Sequence, residues 1–215
     1  MIRDLPPLEL PGHTSSVAAD ERHPMRIMTR RAAGLAGAGW DDEARVAVEA
    51  NFDDLAAAWH SRVTPVRNAV VADALQRGVA GSPGGVVAEV GSGIGTYSPL
   101  LAARWDCVVA FDLSLEMLRH SPPAPGHRVQ ADASRLPLAD GAAAAVVLIN
   151  MLLFPDEVDR VLAPEGLVVW VNSSGEQTPI HLPPDEVAEV LPGEWEGVRS
   201  RAGIGLWCVL RRTQA

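Results

Sequence analysis

A chain of 215 residues, 47% apolar and 21% charged, is long enough to bury its own core, and its two cysteines give neither a disulfide framework nor a metal-ligand spacing. A formal net charge of −9, with arginine as the only basic residue besides histidine, leaves no extended cationic face, so nucleic acid is disfavoured as a partner. No apolar run reaches the roughly 18 residues of a membrane span, and residues 1–7 place an acid and two prolines where a signal peptide needs an apolar stretch, so a cytoplasmic location and no membrane partner are expected.

Residues 1–20 are rich in Pro, Ser and Gly and lack periodicity, as in a disordered tail or a strap. Residues 21–80 read as an N-terminal helical cap. Its first helix lies near Met25–Leu35 and is stopped by Gly34, Gly37 and Gly39. A second starts at the acids Asp41, Asp42 and Glu43, which suit a helix N-terminus, and runs towards Trp59 and His60. A third opens on Pro65 and ends at Gly78. From residue 81 the pattern changes to short apolar runs alternating with helical stretches. Strands are predicted at Val86–Val90, Cys107–Phe111, Arg128–Ala131, Ala142–Ile149 and Leu167–Val171, with helices at Thr96–Trp105, Leu115–His120, Asp156–Leu162 and Asp185–Leu191. The fully apolar Ala142–Ile149 belongs in the middle of a sheet. Two last strands, Trp195–Arg201 and Gly205–Leu210, join through a hairpin at Gly203. The sum is a doubly wound α/β domain over 81–215: a mostly parallel, seven-stranded sheet with an antiparallel C-terminal strand at its edge. Cys107 and Cys208 fall in strands as buried thiols.

Ligands of open α/β sheets bind at the carboxyl ends of the strands. Here the first strand of the alternating region ends in Glu89-Val-Gly91-Ser92-Gly93-Ile-Gly95. Glycine permits a tight turn and a close ligand approach. The dinucleotide fingerprint needs a third glycine where this chain has Thr96, so a nicotinamide-dependent oxidoreductase is disfavoured. Asp112 ends the next strand, about 20 residues on, where a carboxylate can accept from both hydroxyls of a ribose. Asp132 follows the third strand and Asn150 ends the fourth, on the same rim.

These segments, together with Arg160–Gly166, resemble the class I, Rossmann-like S-adenosylmethionine-dependent methyltransferases over about residues 50–211. The resemblance implies S-adenosylmethionine as cofactor. Glu89 and Gly91 would bind the ammonium and carboxylate of its methionine part, with Ser92, Gly93 and Gly95 completing the loop. Asp112, followed by Leu113, would hold the ribose. Asp132 and the Ala133 backbone would hold the adenine, and Asn150 would offer backbone contacts beside the sulfonium.

A sulfonium methyl is already activated, so the protein must align the acceptor and exclude water, and a nucleophilic oxygen or nitrogen can still need a base. The base candidates are His60, in the Trp59–Arg62 lead-in, and His181 and Glu176, after the fifth strand. Glu157 and Asp159 read as a solvated helix face. Trp59, Met151 and Phe154 are predicted to wall the acceptor pocket, with Met25, Met28, Trp40 and Leu153 as further candidates. The link after the fourth strand is short, which fits a small acceptor or an open site completed by a partner; the expected acceptor is a small molecule methylated on oxygen or nitrogen. The all-arginine, alanine-rich composition fits a GC-rich bacterium and says nothing of function; the cofactor motifs, the acidic surface and the lack of a nucleic-acid module point to a small molecule, such as one of bacterial specialised metabolism. A protein that binds the cofactor without transferring methyl is the alternative, and the sequence leaves the oligomeric state open.

Overall fold

The computed structural model describes residues 1–11, 20–37 and 39–213; residues 12–19 of the expected tail lie outside them. Eight strands form one sheet in the order β1-β7-β8-β6-β5-β2-β3-β4. They are β1 (Ile2–Asp4), β2 (Val86–Val90), β3 (Cys107–Asp112), β4 (His127–Gln130), β5 (Ala143–Ile149), β6 (Leu162–Asn172), β7 (Trp195–Ala202) and β8 (Gly205–Arg212). The helices are α1 (Pro24–Ala32), α2 (Asp42–Ala56), α3 (Pro65–Asp73, continued by a π turn Ala74–Gly78), α4 (Ser98–Ala102), α5 (Leu115–Arg119), α6 (Pro155–Val161) and α7 (Pro184–Val190). Three start on a capping side chain: Asp41 Oδ1 accepts from Ala44 N–H, Thr64 Oγ1 from Arg67 N–H and Ser114 Oγ from Met117 N–H, while α4, α6 and α7 carry a proline in the first turn.

Alternation along the strands sorts the core onto two faces. Ala88, Val90, Val146, Leu148, Val168 and Trp170 pack with α1, α6 and α7. Val87, Ala145, Val147, Val169, Trp207 and Val209 face α3 and α4 instead. A small third cluster of Ala56, Ile94 and Met117 joins α2 to the glycine loop and α5.

Two expectations change. The sheet has eight strands rather than seven, because Ile2–Asp4 pairs in parallel with β7 (Ile2 opposite Gly197). Three residues carry too little alternation to announce a strand. The antiparallel strand is β8, and it lies inside the sheet, between β7 and β6, instead of at the edge. The reason is burial: residues 205–210 are all buried, whereas most of β7 is half-exposed, so β8 needs cover on both sides.

The chain leaves β2 for β3 and β4, then returns to β5 on the other side of β2. That reversal opens a crevice at the carboxyl ends of β2 and β5, where Gly91 and Asn150 stand. Among the described residues, no helix is long and apolar enough to cross a membrane, and no group of three His, Cys, Asp or Glu side chains is placed to hold a metal ion.

Candidate active site

At the switch point the chain turns sharply after β2. Gly91, Gly93 and Gly95 all adopt positive φ (70°, 55° and 70°), and a Cβ on Gly91 would stand 2.2 Å from Met151 Sδ, so glycine is required there on two counts. The turn is tied down from β3. Gly91 and Ser92 N–H both donate to Phe111 O, at 2.8 and 2.9 Å, and Gly93 N–H donates to Asp112 Oδ2 at 2.7 Å.

One pocket opens over this turn. Glu89, Gly91, Ser92, Gly93, Asp112, Leu113, Asp132, Ala133 and Asn150 all line it, as do the predicted walls Trp59, Met151 and Phe154. The three carboxylates therefore converge along one sheet rim. Gly95 is absent from the lining and serves the turn, donating its N–H to Ser92 O at 2.9 Å. Trp40 also lines the pocket, but Met25, Met28 and Leu153 pack in the core.

Glu89 points from β2 to the α4 side and is only 2% exposed. Ser98 Oγ donates to its Oε2 at 2.5 Å, while its Oε1 is buried without a partner. Burial pushes this carboxyl up to about 7, against the pull of the Ser98 hydrogen bond. Burial also raises Asp112 to about 6, although Ser114 and Gly93 N–H groups donate to it. Asp132 accepts from Ser134 N–H at 2.8 Å and from Trp40 Nε1 at 3.0 Å. Trp40 in turn meets Phe154 edge to face, with ring centroids 5.1 Å apart. Asn150 takes a left-handed φ of 51°. Its side chain bridges to Ser173 and its N–H donates to Val171 O, so its carbonyl is the group left for a ligand.

The base candidates lie elsewhere. His60 is exposed and outside the pocket lining. His181 is buried behind Ile180. Asn172 Nδ2 donates to Ile180 O at 2.8 Å, which turns the carboxamide oxygen to His181 Nδ1 at 2.8 Å, so Nδ1 carries the proton. Burial, reinforced by the Arg26 guanidinium, holds His181 down at about 4. Glu176 is exposed and paired with Arg201. Glu157 is no solvated face: it is buried, accepts from Leu136 N–H and pairs with Arg160 at 2.7 Å. Asp159 pairs with Arg212 at 2.6 Å.

The structure adds residues that the sequence analysis did not assign to the site. Val48 and Phe52 reach the pocket from α2, and Val63 from the turn before α3. Arg62, Arg67, Thr96, Tyr97 and Ile180 complete much of the remaining wall. The α2 spacing of Val48 and Phe52, at i and i+4, was the one usable clue.

Comparison with known proteins agrees. The family model described as "Methyltransferase domain" matches residues 88–170. No curated protein matches the chain. Among solved structures, DhpI in its SAH complex aligns with TM-score 0.64 and 22% identity over 77% of this chain and 95% of that one. Its SAM-HEP complex aligns with TM-score 0.57 and 22% identity over 75% and 94%. A proposed S-adenosyl-L-methionine-dependent methyltransferase of Methanococcus maripaludis gives TM-score 0.54 and 16% identity over 84% and 97%. At these identities the likeness is one of fold. Against a methyltransferase proposed for Haloferax volcanii, solved with the Trm112 activator, the match spans 56% of this chain and 59% of that chain at 19% identity and TM-score 0.47, too loose to carry an argument. Residues 88–170 thus match a methyltransferase domain, and the doubly wound sheet with an acid-lined glycine turn at its switch point is the fold of the class I, Rossmann-like S-adenosylmethionine-dependent methyltransferases.

Proposed function

We propose that the chain transfers a methyl group from S-adenosylmethionine to an oxygen or nitrogen of a small-molecule acceptor. The observation that carries the reading is Glu89 Oε1: a buried, unpartnered carboxylate oxygen in a pocket shared with Asp112 and Asp132. Native structures rarely leave such an atom alone, and a ligand cation such as an amino acid's ammonium would satisfy it. Asp112 would accept from the ribose hydroxyls. Asp132 and Ala133 would frame the adenine, and Leu113 would pack beside it. Gly91 and Ser92 would let the amino-acid tail approach the turn, and the Asn150 carbonyl would lie near the sulfonium.

S-adenosylmethionine supplies an already activated methyl, so the residues around it need only position and dehydrate. Trp59, Met151 and Phe154 close apolar walls around the reacting centre, which excludes water and fixes the approach of the acceptor. The five-residue span between Ile149 and α6 carries no inserted substrate domain, in keeping with a small acceptor. The acidic net charge of −9 supports a small molecule over nucleic acid, and such an acceptor would suit bacterial specialised metabolism.

Calorimetric titration with S-adenosylhomocysteine tests the reading. Binding with Kd of about 1–100 μM is expected, with loss of about tenfold or more for Asp112→Ala as two ribose hydrogen bonds disappear. Absence of both heat and thermal stabilisation in the unmodified protein rejects the assignment. A cofactor binder without transfer gains ground from one observation: among the described residues, no histidine lines the pocket. Transfer of a CD3 label from S-adenosylmethionine across a metabolite panel separates the two.

A further inference from the structure

Two cations line the pocket, Arg62 and Arg67, and among the described residues neither pairs with an acid; Arg62 stacks on Trp59 and Arg67 donates to the Arg62 backbone. Arg62 ends the turn Trp59–Arg62, with its guanidinium 5.2 Å above the Trp59 ring. Arg67 stands in the first turn of α3, where its Nη1 donates to Arg62 O at 3.0 Å. The Arg67 side chain is thus tied to the backbone of Arg62, and both residues line the pocket that the carboxylates of the sheet rim also line. In a chain of net charge −9 this is a local positive spot where a small anion would be drawn in. Tyr97 lines the same wall, kept protonated by burial, and so presents a hydroxyl donor.

A second observation bears on the acceptor. Among the described residues, the pocket lining offers no group free to take a proton. Glu89, Asp112 and Asp132 are assigned to the cofactor, Tyr97 is protonated, and His60 and His181 lie outside the lining. An acceptor that needs deprotonation would find no base here. An acceptor whose reacting atom is already an oxyanion would need none.

Building on the methyltransferase reading, we propose that Arg62 and Arg67 form an oxyanion subsite, and that the acceptor is a small carboxylic or phosphoryl acid methylated on one of its anionic oxygens. The oxygen's lone pair forms the new O–C bond. The methyl–sulfur bond breaks and its electron pair returns to sulfur. The negative oxygen and positive sulfur both become neutral, so no proton moves. Charge annihilation of this kind is favoured in a site that sheds water.

The same guanidiniums could instead hold the carboxylate of the cofactor's own methionine part. The experiment separates these sources with Arg62→Gln and Arg67→Gln, singly and together, after circular dichroism shows each folded. S-adenosylhomocysteine and 5′-methylthioadenosine, which lacks the amino-acid tail, are titrated into each. Affinity for both within about twofold of the unmodified protein is expected. A loss confined to S-adenosylhomocysteine assigns the arginines to the cofactor and overturns the proposal. The S-adenosylhomocysteine-loaded protein is then titrated with benzoate, phenylphosphonate and the neutral benzamide. The acids are expected to bind at least about tenfold tighter than the amide, with the preference lost in the double variant. Equal binding, or none by either acid, overturns the proposal. CD3-labelled S-adenosylmethionine and a panel of matched acids, alcohols and amines give the last reading: label in the acids supports it, and label only in alcohols or amines overturns it. If the unmodified protein fails to bind S-adenosylhomocysteine at all, the methyltransferase reading falls, whereas an intact affinity with no anion preference sinks the subsite alone.

Discussion

Glu89 shows how one side chain can serve an absent partner. A carboxylate that is 2% exposed, with one oxygen on Ser98 and the other on nothing, is costly for the free protein. Its position answers a cation in the pocket. Glu89→Gln keeps the shape and the Ser98 contact but removes the charge. A charge-assisted hydrogen bond contributes about 1.5–3 kcal/mol, so the affinity for S-adenosylhomocysteine should fall by about tenfold or more. Unchanged affinity would mean that the ammonium is held elsewhere. His181 illustrates the opposite case. Its sequence context, after a strand end, matched that of a base, yet its Nδ1–H is committed to Asn172 and its imidazole stays neutral above about pH 4. Histidine is ambiguous in sequence because only packing decides whether it faces a pocket or a core.

At the scale of elements, the site depends on how α3 is pinned to the sheet. Asp73 closes α3 at 5% exposure. It accepts from Trp207 Nε1 on β8 at 2.8 Å and from Arg77 Nε and Nη2, each at 2.6 Å. Truncating it leaves an indole N–H buried and a guanidinium without its partner. Asp73→Ala should therefore cost about 3 kcal/mol in a denaturant titration, and Asp73→Asn, which keeps an acceptor for Trp207, should cost less. Because α3 carries Arg67 to the pocket, the alanine variant should also loosen that wall. Local signals placed most elements correctly. Pro65, Thr64 and the acids at 41–43 mark helix starts, and β2 was legible to the residue because its apolar run stops at a glycine. The three-residue β1 was not legible, and neither was the inner place of β8, since both are matters of which strand lies alongside.

For the whole molecule, the buried acids of the rim tie stability to pH. Glu89 rises from 4.5 to about 7 on folding, and Asp112 from 3.8 to about 6, in both cases through burial. A carboxyl raised by folding binds its proton more tightly in the folded state. Its stabilising contribution is complete below the unfolded value and is lost as pH climbs through the folded one. The cofactor-free protein should thus lose melting temperature between about pH 4 and about pH 7, with a shallower slope in Glu89→Gln. Saturating S-adenosylhomocysteine should flatten the slope as well, because an ammonium beside Glu89 favours its ionised form. A melting temperature that rises steadily over that range would contradict the burial of these acids.

The sequence by itself determined the alternation of strands and helices, the turn at Gly91–Gly95 with Glu89 just before it, and the acids Asp112 and Asp132 at strand ends. Each of these is local: an apolar run, a backbone conformation open to glycine, a side chain near the end of a strand. The tertiary structure alone decided which polar groups meet. It moved His60 and His181 out of the pocket, brought Arg62, Arg67 and Tyr97 into it, left Glu89 Oε1 without a partner, and slotted β8 inside the sheet. Contacts between residues far apart in the chain depend on how whole elements pack, and no local pattern encodes that.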